Sequence, residues 1–257
     1  MNEFLRFKYF LNYQWKARTK YYVHSPFVYQ FYLNVLEGTT DAQLIAIENL
    51  RQQLGKNNTS INTNDFGTGI SKSIKLSTLE GKVAVRPKYG HLLYRLVKYF
   101  QPTNILEIGT SIGLSSAYMA LANKTSHIYS LEGSEQLIKV AKLNHKSLNI
   151  SNIDIITGDF SKTLSDVLKK REQLDLVFFD GNHRKEATLQ YFDACLKKAH
   201  SESIFIFDDI YWSRDMNEAW TEIKSHPRIT LALDVFQFGI CFFKKEKLSK
   251  EEFVLRY

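Results

Sequence analysis

The chain has 257 residues, 44% of them hydrophobic and 24% charged, enough apolar material for a core of its own and far from the composition of a disordered or collagen-like polymer. No apolar run approaches the roughly 20 residues of a membrane span, and residues 1–10 lack the pattern of a signal peptide, so the expected location is the cytoplasm. The formal charge of +7 is uneven: residues 1–101 hold 14 Lys and Arg against 6 Asp and Glu, whereas residues 102–257 hold 20 against 21. Cys195 and Cys241 show no C-x-x-C spacing and read as buried thiols in a reducing compartment.

Between Phe4 and Leu36 lie 12 of the chain's 35 aromatic residues, spaced by threes and fours as on helices, and Ser25-Pro26 marks a fresh helix start. Arg6, Lys8, Lys16, Arg18 and Lys20 are interleaved with them. Such a stripe packs against the main domain or against a second copy in a homodimer; a substrate lid, a membrane interface and a grip on nucleic acid are the alternatives. A helix follows at about 41–54, with Leu44, Ile47 and Leu50 on one face. Lys56 to Ser73 is polar and irregular, hence a loop or hinge; its Asp65-Phe66-Gly67 carries the letters of a kinase metal motif without the context. Tyr89 to Phe100 is an amphipathic helix ended by Pro102.

The chain is organised around Asn104 to Ala120, which reads as a short apolar strand, a turn with Gly109 and Gly113, and a helix carrying Leu114, Ala117, Tyr118 and Leu121 on its apolar face. Glycine lets a ligand approach the backbone, and free amides point out of a helix start. The spacing Gly109-Thr110-Ser111-Ile112-Gly113 differs from the G-x-G-x-x-G that admits a dinucleotide pyrophosphate, and Glu107 beside it would repel phosphate and attract a cation. Beyond it, strands at 128–131, 153–156, 174–179 and 203–207 alternate with helices at 135–145, 184–198 and 216–225, and strands at 229–235 and 239–243 close the pattern as a hairpin. Alternation of this kind predicts an α/β fold, a mainly parallel sheet covered on both faces.

In such sheets ligands sit beyond the carboxyl ends of the strands. Those ends are acidic here. Glu132 follows the second strand, 19 residues after Gly113, where a carboxylate can take both hydroxyls of a ribose; Gly158-Asp159 follows the third. The fourth and fifth strands end in Asp180-Gly181-Asn182-His183 and Asp208-Asp209. Three carboxylates from adjoining strand ends repel one another unless protonated or bound to a cation, and hard oxygen ligands suit Mg²⁺, with Ca²⁺ or Mn²⁺ as alternatives. As plain structure, Asp159, Asp208 and Asp209 would be turn formers or helix caps, and His183 a first-turn residue of the next helix.

The E-x-G-x-x-x-G pattern, Glu107 to Gly113, resembles motif I of the class I S-adenosylmethionine-dependent methyltransferases, and seven strands ending in a hairpin resemble their variant of the doubly wound, Rossmann-like fold. The D-G-x-H and D-D elements are similar to those of the cation-dependent O-methyltransferases, among them catechol O-methyltransferase and the enzymes methylating sugar hydroxyls of macrolide and aminocoumarin antibiotics. The resemblance implies a methyltransferase domain over 86–257, with residues 1–85 as a helical extension, and an O-methyltransferase acting on a hydroxyl of a small molecule. It implies S-adenosylmethionine contacts at Glu107, Gly109, Thr110, Ser111, Gly113, Ser115, Glu132, Gly158, Asp159 and Asp180, Mg²⁺ at Asp180, Asp208 and Asp209, and His183 as general base. An RNA methyltransferase gripping its substrate with the basic aromatic front, or a noncatalytic S-adenosylmethionine-binding protein, are the alternative functions.

Overall fold

The computed structural model describes residues 3–39, 41–64, 71–245 and 249–257. The chain forms two compact units, residues 34–167 and residues 1–33 with 168–257. Helices α1 (Glu3–Lys16) and α2 (Pro26–Phe31) open the chain. α2 starts as expected, with Pro26 in its first turn, where a missing N–H costs nothing.

The 34–167 unit runs α3 (Gln43–Gly55), β1 (Ser60–Asn64), β2 (Ser71–Lys75), the single turn α4 (Leu76–Thr78), α5 (Pro87–Phe100), β3 (Asn104–Ile108), α6 (Leu114–Ala122), β4 (His127–Glu132), α7 (Glu135–Ser147), β5 (Ile153–Thr157) and α8 (Phe160–Lys169). β3, β4 and β5 are parallel neighbours in that order, with Leu106 opposite Tyr129 and Leu131 opposite Ile156. Within the expected loop at 56–73, β1 instead pairs antiparallel with β2, Ser60 opposite Lys75 and Asn64 opposite Ser71. Asp65, Phe66 and Gly67 lie outside the described residues. α5 buries Leu92, Leu93, Leu96 and Val97 completely, so its three-and-four spacing is core spacing. It ends at Phe100 as expected, with Gln101 in the left-handed region (φ 51°) between it and Pro102. Gly90 lets α5 and α6 meet closely, since a Cβ there would fall 2.2 Å from the Tyr118 ring.

The second unit resumes with β6 (Leu174–Phe179), α9 (Lys185–Leu196), β7 (Ala199–Phe207), α10 (Arg214–Ser225), β8 (Leu231–Asp234), β9 (Gly239–Phe242) and β10 (Glu251–Val254). Its strands are ordered β10-β8-β9-β7-β6. β6 and β7 are parallel; β9 runs antiparallel to both β7 and β8, the hairpin expected from the sequence. β10 is an eighth strand where the sequence predicted seven, and it pairs parallel to β8. It fixes α1 through backbone and side chain alike: Arg18 N–H donates to Val254 O at 2.8 Å, and the buried Tyr13 hydroxyl donates to Leu255 O at 2.6 Å. Phe178, Phe205, Phe207, Phe238 and Phe242 fill the centre, and Cys195 and Cys241 are buried free thiols, as the sequence implied.

Candidate functional site

The glycine turn after β3 is held from beneath by a buried polar cluster. Glu107 is wholly buried; Ser115 donates to its Oε1 at 2.5 Å and Ser130 shares a hydrogen bond with its Oε2. Thr110 Oγ1 lies 2.5 Å from Ser130 Oγ and donates to Leu131 O at 3.1 Å. Burial pushes the Glu107 carboxyl up to about 7, against the pull of the serine hydroxyls. Glu107 therefore organises the turn from within and presents no surface of its own. The amides expected to be free are also largely engaged: Gly109 and Thr110 N–H both donate to Leu131 O at 3.0 Å, and Gly113 N–H to Thr110 O at 2.9 Å.

What the turn does offer is a hydroxyl and a carboxylate. Ser111 sits in the left-handed region (φ 50°), and its Oγ is buried with no hydrogen-bond partner, a cost a protein seldom leaves uncompensated. Its N–H donates to Glu132 Oε2 at 2.8 Å, while Ser134 N–H donates to Glu132 Oε1 at 2.9 Å. Both oxygens of Glu132 are thus aimed by backbone and keep lone pairs for further donors. Burial raises the Glu132 carboxyl above its ordinary value, opposed by the N–H groups of Ser134, Ser111 and Gly133. An unpaired hydroxyl beside an oriented carboxylate fits the polar edge of a nucleoside-bearing cofactor.

Two residues that sequence reasoning passed over fix this geometry from α7. Asn144 Nδ2 donates to Ile112 O at 2.8 Å, and His145 Nε2 lies 2.9 Å from Gly113 O. A carbonyl only accepts, so Nε2 of His145 carries the proton, and burial keeps the ring's pKa below its ordinary value, hence neutral. Gly113 (φ 78°) is required twice over, since a Cβ would fall 2.5 Å from His145 Nε2. The signal for these residues was only a polar pair on the inner face of an amphipathic helix, 32 residues from its target. Beyond β5, Gly158 (φ 141°) turns the chain and Asp159 caps α8, its Oδ1 accepting Ser161 N–H at 2.7 Å and the Ser161 hydroxyl at 2.6 Å, which lowers its pKa. That is the turn-former role weighed from the sequence.

In the other unit, the ends of β6 and β7 gather the second constellation. Asp208 is 4% exposed; its Oδ1 accepts Asp209 N–H at 2.7 Å and Gln237 Nε2 at 3.0 Å, and its carboxyl hydrogen-bonds that of Asp180. Burial first and the Asp209 charge second push the Asp208 carboxyl up to about 7, against the hydrogen bonds of Asp180, Gln237 and the Asp209 N–H, which pull it down. His183 Nε2 lies 3.7 Å from Asp180 Oδ1; burial lowers its pKa and the Asp209 charge opposes that. Asn182 and Asp209 both have φ 52°, strained backbone at two successive strand ends. The bland roles are taken by others: Ser213 caps α10 by accepting Met216 N–H at 3.1 Å, and α9 begins only at Lys185. Tyr211 stacks on Phe236 and hydrogen-bonds Asp234, and Arg6 lies 5.6 Å over the Trp212 ring, so both aromatics are packed. Among the described residues no three His, Cys, Asp or Glu side chains are arranged to hold a metal ion. What the site does offer is the hydrogen-bonded carboxyl pair of Asp180 and Asp208 with Asp209 beside it, hard oxygen donors of the kind a divalent cation takes.

Residues 106–210 match the family described as a methyltransferase domain. The chain is 30% identical over 82 residues to a protein-L-isoaspartate O-methyltransferase of Pyrococcus abyssi, covering 32% of this chain and 38% of that protein. It is 28% identical over 131 residues to a catechol O-methyltransferase of Niastella koreensis, covering 50% of this chain and 58% of that one. The chain thus spans less than two thirds of the length of these curated relatives. Among solved structures, the O-methyltransferase of Bacillus cereus in complex with SAH superimposes with a TM-score of 0.58 at 22% identity, covering 84% of this chain and 96% of that one, a likeness of fold.

Proposed function

We propose that this chain, whose residues 106–210 match a methyltransferase-domain family, transfers a methyl group from S-adenosylmethionine to a hydroxyl oxygen of a small molecule. The observation that carries the reading is the turn at Ser111: a buried, unpartnered hydroxyl beside a carboxylate aimed by two backbone N–H groups, within the matched segment. S-adenosylmethionine, when bound, supplies an electrophilic methyl on a sulfonium, so that an alcohol oxygen gains the methyl, the thioether leaves and one proton is released.

The residues divide that work. Glu132 would accept the two ribose hydroxyls with lone pairs its backbone donors leave open, and Ser111 would take a polar atom of the same ligand. Glu107, Asn144 and His145 hold the turn rigid, which is how positioning is maintained during a displacement. His183 would take the proton from the acceptor oxygen at Nε2, being neutral at cytoplasmic pH because burial lowers its pKa. Asp180, Asp208 and Asp209 are the residues that would hold Mg²⁺, whose contribution would be to lower the pKa of a coordinated hydroxyl and fix its direction.

The test is transfer of labelled methyl from S-adenosylmethionine to panels of catechols and sugar hydroxyls, with and without EDTA. Label on at least one hydroxyl acceptor supports the reading, and loss of that transfer in EDTA supports the metal. Label on RNA alone, or binding of the cofactor with no transfer to any acceptor, sinks it.

A further inference from the structure

The helix α1 has two apolar faces, and only one of them is used within its unit. Half-buried Tyr9 lies 5.2 Å from the Tyr211 ring, and Tyr13, 1% exposed, packs against Phe236 in the core. On the other side Phe4, Phe7, Leu11 and Trp15 follow one another at steps of three and four, which on a helix is a single face. They are 77%, 58%, 53% and 82% exposed. Of the 12 large hydrophobic side chains exposed among the described residues, eight lie between Phe4 and Tyr29. A concentration of this kind marks an interaction surface, because soluble proteins scatter such side chains singly.

Charge decides the occupant. From Phe4 to Leu36 there are five Lys and Arg residues and not one Asp or Glu. Lys8 shares the exposed apolar face, and Lys16 and Arg18 are exposed just beyond it. A second copy placed face to face would bring these cations against one another, with Glu3 as the one carboxylate that α1 itself carries. Nucleic acid would satisfy the charge, but Leu11 in the middle of the face gives a base nothing to stack on. An anionic bilayer satisfies both requirements, taking aromatic and leucine side chains at the headgroup boundary and cations against the phosphates.

We propose that α1 docks this chain on an anionic lipid surface, with Phe4, Phe7, Leu11 and Trp15 entering the interfacial layer and Lys8, Lys16 and Arg18 against the headgroups. The docking is peripheral, since no helix among the described residues is long and apolar enough to cross a membrane.

The test uses the full chain with vesicles of phosphatidylcholine containing about 30% phosphatidylglycerol, and with pure phosphatidylcholine, read by flotation and by acrylamide quenching of tryptophan. Binding to the anionic vesicles, roughly tenfold weaker to neutral ones or in high salt, with tryptophan shielded on binding, is the expected result. Phe7→Ser with Trp15→Ser should reduce binding by roughly tenfold or more while leaving the melting temperature unchanged, because both residues are exposed. Lys8→Glu with Lys16→Glu provides an independent variant with the same expected loss. Absence of vesicle binding by the wild-type chain overturns the proposal, as do equal binding by either folded variant, a stable dimer that shields Trp15 without lipid, or binding of an RNA oligonucleotide with no affinity for vesicles.

Discussion

Replacing Glu107 by Gln should make the protein more stable at alkaline pH, although it removes a charge from a hydrogen-bonded cluster. The reason lies in how protons are distributed beneath the glycine turn. With Glu107 protonated, every donor has one acceptor: Ser115 donates to Oε1, the carboxylic acid to Ser130 Oγ, Ser130 to Thr110 Oγ1, and Thr110 to Leu131 O. With Glu107 ionised, Ser130 donates to the carboxylate and Thr110 to Ser130, so the cost of the charged form is its burial. Burial raises the carboxyl from 4.5 to about 7. A folded-state pKa above the unfolded one means that the native state binds the proton more tightly, so this contribution is complete below about pH 4.5 and disappears as the pH rises through about 7. A separation of roughly 2.5 units at 1.36 kcal/mol each corresponds to about 3 kcal/mol. Glutamine reproduces the protonated state, its amide donating to Ser130. In urea unfolding at a series of pH values, Glu107→Gln should match the wild type near pH 4.5 and exceed it by about 3 kcal/mol at pH 8. Parallel pH curves for the two proteins would refute the reasoning.

Gly113→Ala places a methyl against His145 and Ala141 at a positive φ, and should cost about 3 kcal/mol in the same unfolding assay; a loss under 1 kcal/mol would mean that the turn is not clamped from α7. His183→Ala should depress methyl transfer by about 10² to 10⁴ in turnover with little change in cofactor affinity; full turnover at neutral pH would remove it as the base. Asp208→Asn should abolish the EDTA-sensitive part of the turnover, measured with added Mg²⁺, while leaving cofactor affinity within about tenfold. Retention of EDTA-sensitive activity would take Asp208 out of any cation site.

The strands β3 to β9 were legible because each carries an apolar run bounded by turn residues, most of them alternating with helical patterns; Leu174 to Phe179 is the plainest case. The elements that escaped lack that signature. β10, Glu251–Val254, is half charged, and its pairing with β8 is set by the partner strand rather than by its own pattern. The hairpin of β1 and β2 is mostly Ser, Asn, Thr and Lys, with Ile61 opposite Ile74 as its one apolar pair. α8 does carry helical spacing in Phe160, Leu164, Val167 and Leu168, three of them buried, and reads as a helix once Asp159 is recognised as its cap. For the site, sequence placed Glu132, Asp180 and Asp208 at strand ends because the fold fixes where loops emerge. It could not show that Glu107 looks inward, nor that Asn144 and His145 reach back 32 residues to the turn, since those contacts depend on how a helix lies across a sheet.

Titration of S-adenosylmethionine into the wild-type chain and Glu132→Ala, followed by calorimetry, bears most directly on the claim that the turn after β3 and the end of β4 form a cofactor cradle. The account predicts saturable one-to-one binding by the wild type, weakened by roughly 1 to 3 kcal/mol in the variant through loss of charged hydrogen bonds to the ligand, with both proteins equally folded. No binding by the wild-type chain, or the same affinity in both, would contradict it.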